Sequence, residues 1–157
     1  MYNPETFGLV MYPRLCSSNG PASDKFKDAL LAELQFDIDN DSKKLNFAVE
    51  TYYEAMCFGN IEAGVNLLGI LMMANFNSFF RGTNSRKKMK GRTHEIIKYL
   101  SAFDHPIVRY YEALTKLCIN GKGSEDWDMM DALAAEGNEY ASALIKSYEE
   151  YEAELAE

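Results

Sequence analysis

The sequence predicts an all-α domain, either an irregular stack of about three antiparallel helical hairpins or a compact helical bundle. Three observations predict it. Apolar residues recur at three- and four-residue steps along most of the chain after residue 22. Gly-Asn pairs stand between apolar helical runs at 59–60 and 137–138, where glycine supplies a left-handed helix end and asparagine caps the next helix. Short joints at Gly59-Asn60, Asp104-His105 and Gly137-Asn138 alternate with longer loops at 77–92 and 120–125, the alternation that stacked hairpins require.

Each element follows from local chemistry. Residues 1–22 hold Pro4, Pro13, Pro21, Gly8 and Gly20, which break helices, so this segment is expected as an extended arm packed on a single helical domain at 23–157. Ser23 is a candidate cap for a first helix with Phe26, Leu30 and Leu34 on one side, ending near Asp39 and Asn40. The second runs from about Ser42 to Phe58, with Leu45, Ala48, Val49, Tyr52 and Met56 as its stripe. The third, Ile61 to about Phe76, is apolar nearly all round and should be central. Thr93 is expected to cap a short fourth helix that turns Ile96, Ile97 and Leu100 inward. Pro106 suits the first turn of a fifth, which carries Val108, Tyr111, Leu114, Thr115 and Cys118 on one side. A short sixth spans Trp127 to Glu136, and the last carries Tyr140, Leu144, Tyr148, Tyr151 and Leu155.

Composition bounds the class. The 157 residues are 47% hydrophobic and 25% charged, the balance of one folded domain. Cys16, Cys57 and Cys118 form an odd set, and the latter two fall in apolar helical patterns where a free thiol acts as a small hydrophobe, so a reducing cytoplasm is expected. No basic region precedes the apolar run Phe7 to Tyr12, and a secretory signal is not indicated. Ala63 to Phe80 lacks formal charge, but Asn66, Asn75, Asn77, Ser78, Gly64 and Gly69 interrupt it, which favours a buried helix over a membrane span.

The net charge of −8 is uneven. RGTNSRKKMKGR at 81–92 reads as a basic loop on an acidic body, and Arg86, Lys87, Lys88 and Lys90 in it are candidate partner contacts, for phosphates or as an import patch in a eukaryote. A solvated loop, or one lying on the acidic C-terminal helix, is the plainer reading. The acidic body repels a polyanion, so direct nucleic-acid binding is disfavoured, whereas the polarity suits head-to-tail self-association.

Catalytic signals are missing from the sequence. His94 and His105 are the only histidines, and His105 beside Asp104 reads as a cap rather than as an acid-base pair. No metal-ligand spacing, phosphate loop or nucleophile elbow occurs. The expectation is a protein that is not an enzyme and needs no cofactor. Tyr53 and Tyr111, each the second member of a tyrosine pair, are candidate partner-binding residues, because neighbours on a helix point about 100° apart and one can stay exposed.

AAEGNEYASALIKSY at 134–148, FGNIEAGVNLLGILM at 58–72, and NGKG at 120–123 followed by Asp126 and Ala132 together resemble the Sel1-like branch of tetratricopeptide-type helical repeats. Ala63, Leu67 and Leu68 occupy that family's small and large positions, with Gly69 one place late, and Ala141 and Ile145 do so in the final unit. The joints are spaced by 45 and then 33 residues and the loop at 77–92 has no counterpart in a regular repeat, so the match is degenerate. The resemblance implies an adaptor or regulator that binds a partner protein or peptide. The alternative is a small acidic inhibitor of a nucleic-acid-processing enzyme, a DNA mimic of the phage or mobile-element type, whose track would include Glu149, Glu150 and Glu152.

Overall fold

A computed structural model describes residues 12–81, 85–119 and 127–156, with side chains for all of these except 75–81, 85–91 and 117–119. The described residues form helices α1 (Ser23–Asp39), α2 (Ser42–Cys57), α3 (Ile61–Arg81), α4 (Ser85–Ser101), α5 (Pro106–Ile119), α6 (Asp128–Ala135) and α7 (Glu139–Ala156). The protein is an all-α helical stack. Among the described residues no helix is long and apolar enough to cross a membrane. The NGKG loop, Glu125 and Asp126 lie outside the described residues.

Successive helices pack on one another, and α5 also touches α3 and α7. Tyr52, Leu67, Leu68, Leu100, Tyr110, Leu114 and Leu144 are among the fully buried side chains. They come from every helix between α2 and α7 except α6, which adds Met130, so the core is continuous along the stack. Ile96, Ile97 and Leu100 face inward as the periodicity predicts.

The two Gly-Asn joints are built alike. Gly59 and Gly137 take φ of +102° and +96°, a region open to glycine because it lacks a Cβ. The Asn60 N–H then reaches back to the Ala55 carbonyl, and the Asn138 N–H to the Leu133 carbonyl, closing each helix in the Schellman manner. Asn60 Oδ1 caps α3 by accepting from the Ala63 N–H at 2.9 Å. Asn138 Oδ1 caps α7 by accepting from the Tyr140 and Ala141 N–H groups at 3.1 Å. Each asparagine also donates through Nδ2 to a proline carbonyl at the start of the helix two places earlier, Asn60 to Pro21 and Asn138 to Pro106. Asp104-His105 is the variant of the same joint: Asp104 is left-handed at φ +51°, and His105 Nδ1 accepts from the Ile107 N–H.

Several boundaries and faces differ from the sequence reading. The segment read as a basic loop is mostly helix: α3 runs on to Arg81 and α4 begins at Ser85. Lys, Arg and Met are good helix formers, and their charge hid a propensity that favours the helix. Thr93 is therefore no cap but a buried residue inside α4. In α1 the buried face is Phe26, Ala29, Ala32 and Glu33, while Leu34 is exposed. Alanines let α2 approach closely, and Leu31 and Leu34 are exposed while Leu30 stays partly buried against the core. Ala22, not Ser23, occupies the α1 cap position, in a left-handed conformation without a side-chain bond. Cys57, expected to pack as a hydrophobe, is exposed, as is Cys16.

Candidate functional site

The described part of the arm, residues 12–22, lies across α1 and α3, and side chains hold it there. Among the described residues, no backbone–backbone hydrogen bond involves residues 12–21. Asn66, in the second turn of α3, instead binds one peptide residue from both sides. Its Oδ1 accepts from the Leu15 N–H at 2.7 Å and its Nδ2 donates to the Leu15 carbonyl at 2.8 Å. A carboxamide presents a donor and an acceptor side by side, so it imitates the edge of a β-strand and recognises extended backbone whatever the side chain.

The side chain before Leu15 is read separately. Arg14 donates through Nε to Glu33 Oε2 at 3.0 Å and through Nη1 to Asp37 Oδ2 at 2.7 Å. Glu33 and Asp37 stand four apart on α1 and share a face, which makes them a two-carboxylate receptor for one guanidinium. Glu33 is only 6% exposed. Its second oxygen accepts from the Tyr52 hydroxyl of α2 at 2.8 Å, and Asn66 Nδ2 lies 3.2 Å from that same hydroxyl oxygen. Three helices thus orient the two recognising groups without help from the arm.

Electrostatics follow from this burial. Desolvation pushes the Glu33 carboxyl above the ordinary glutamate value, although the bonds from Tyr52 and Arg14 pull the other way. The Arg14 guanidinium is held more strongly protonated: burial opposes this, but the bonds and charges of Asp37 and Glu33 outweigh it. Burial raises the Tyr52 phenol well beyond its usual range, so Tyr52 remains a donor to Glu33.

A second opening lies one turn along α3. A methyl group on Gly69 would stand 3.0 Å from the Tyr111 hydroxyl and 3.8 Å from the Pro13 carbonyl oxygen. Glycine at 69 therefore lets the Tyr111 hydroxyl approach the helix closely, beside the point where the arm passes. The Tyr111 hydroxyl is buried and has no hydrogen-bond partner among the described residues.

Tyr111 was expected to offer a partner-binding surface, and the structure corrects this. Both Tyr110 and Tyr111 are fully buried, because α5 packs against α3, α4, α6 and α7 and leaves the side of Arg109, Glu112 and Lys116 toward solvent. Tyr53 is 38% exposed, with the Arg92 guanidinium 5.1 Å above its ring. Arg92 also lies 3.8 Å from Glu50, so this end of the basic segment rests on α2 and not on the C-terminal helix. Arg86, Lys87, Lys88 and Lys90 fall on the first turns of α4, and their side chains lie outside the described residues. Glu149, Glu150 and Glu152 are exposed on α7, where the Tyr148 hydroxyl pairs with Glu152. None of these residues joins the Arg14, Glu33, Asp37 and Asn66 cluster.

Sequence reasoning passed over that cluster. Two signals were present: Asn66 as a polar residue inside an apolar helix, and Arg14 as the first basic residue of the chain. Among the described residues no three His, Cys, Asp or Glu side chains converge on a metal-sized site. No family model, no curated protein and no solved structure matches the chain.

Proposed function

We propose that the protein is a non-catalytic interaction module, an adaptor or regulator, that holds an extended segment of a partner protein on its helical stack. The observation that carries this reading is Asn66, which pairs with both backbone groups of Leu15. Side chains that bind backbone in this way are suited to peptide capture, because they give register and affinity while neighbouring groups give specificity. The acidic pair Glu33 and Asp37 selects a basic side chain, and the negative charge of the body steers basic partners toward it. The repeated helix joint supports the Sel1-like, tetratricopeptide-type reading of the stack. Exposed and unbridged Cys16 and Cys57 suit a reducing cytoplasm.

The test is affinity capture from a nuclease-treated lysate, washed at low and then high salt, with wild type, Asn66→Ala and a variant in which Glu149, Glu150 and Glu152 are all Gln. A partner that survives high salt on wild type and on the triple variant, and is lost with Asn66→Ala, is the expected result. Capture of a nucleic-acid enzyme that depends on the α7 acids and elutes as salt rises would replace this reading with phosphate mimicry.

A further inference from the structure

We infer that residues 12–18 are a displaceable occupant of the seat on α1 and α3, and that the ligand for this seat is an extended segment of another protein carrying Arg followed by an apolar residue. This deepens the interaction reading above and rests on it.

The body builds the seat by itself. Tyr52 fixes Glu33, and Asn66 is tied to Tyr52, so the carboxylate and the carboxamide are already aimed before any segment arrives. Preorganised polar groups of this kind bind a peptide without a cost in reordering. The arm, in contrast, is held as a ligand is held: by Arg14 to two carboxylates and by Leu15 to one carboxamide, with Ser18 Oγ to Asn60 Oδ1 at 3.2 Å beyond them. The segment contributes no helix or strand of its own.

The fit is also incomplete. Beside Gly69, where Pro13 passes, the Tyr111 hydroxyl is buried and has no hydrogen-bond partner among the described residues. A buried donor without an acceptor is unfavourable. A segment with a slightly different path at this point can supply the acceptor that residues 12–18 do not. Tethering favours the arm nevertheless, because a short linker holds it at an effective concentration of the order of 1 mM. A segment in trans therefore competes only when its own affinity is high or the arm is loosened.

The experiment uses the 157-residue chain and a fluorescein-labelled synthetic peptide of residues 11–20, with Ser in place of Cys16, read by anisotropy. Arg14→Ala loosens the arm and leaves the seat intact. The variant is expected to bind the peptide about tenfold or more tightly than wild type, because binding strengthens with the fraction of open seats. Adding Glu33→Gln to Arg14→Ala should remove the gain, and a peptide with Ala in place of Arg should bind neither protein. An Arg14→Ala chain that keeps its helical signal and Tm yet takes up no peptide, or takes up the Ala peptide equally, overturns the inference. A partner still captured at high salt by that same chain would leave the broader interaction reading standing. Should Arg14→Ala unfold the protein, native-state hydrogen exchange on wild type decides. Opening of the Leu15 amide while the α3 amides stay protected supports a displaceable arm, and protection of Leu15 equal to that of α3 overturns it.

Discussion

Glu33 and His105 carry opposite pH signatures. Burial lifts the Glu33 carboxyl above the ordinary glutamate value, so the folded state keeps a proton that the unfolded chain has released. Its contribution to stability must fall as pH rises from about 4.5 through its folded value. Glu33→Gln should flatten that part of the curve in a comparison of urea unfolding between pH 4 and 7. An unchanged slope would mean that Arg14 and Tyr52 fully offset the burial. Burial instead lowers His105 below 6.5, and its Nδ1 must be unprotonated to accept from the Ile107 N–H. Its share of stability is present above pH 6.5 and is lost as pH falls through its lowered value. His105→Asn, which can still cap α5, should remove this acid loss; a variant as acid-sensitive as wild type would place the loss elsewhere.

At the scale of helices and joints, caps were legible and faces only in part. The Gly-Asn pairs announced two helix ends because their chemistry is local: a left-handed glycine and a side-chain cap need only a few residues of sequence. Gly137 has open space around the position of a Cβ, so Gly137→Ala tests the backbone alone. It should cost roughly 1 to 2 kcal/mol, read from urea unfolding with helical content unchanged. A neutral result would show that the joint relaxes. The start of α4 was misread because charge suggested a loop where propensity favours a helix. On α1 the expected row holds at Phe26 and in part at Leu30 and departs at Leu34, because a row of alanines competes with the leucines and close packing against α2 decides between them. Arg14, Glu33 and Asn66 were not linked beforehand, since contacts 19 and 51 residues apart in sequence leave no periodic trace.

Taken as a whole, the molecule sets a preformed acidic and carboxamide seat on one end of an otherwise apolar-cored stack, and its own arm fills that seat. Tyr111 illustrates why a surface reading from sequence fell short: exposure depends on how many helices crowd around α5, which no single helix records. On this view α1 and α3 hold extended peptide. The most direct measurement is a heteronuclear NMR titration of 15N-labelled Arg14→Ala chain with the unlabelled peptide of residues 11–20. Saturable shifts of the Asn66 side-chain amide and of backbone amides around Glu33 and Gly69 are expected, with α7 unmoved. Shifts concentrated on α7, or none at Asn66, would contradict this view.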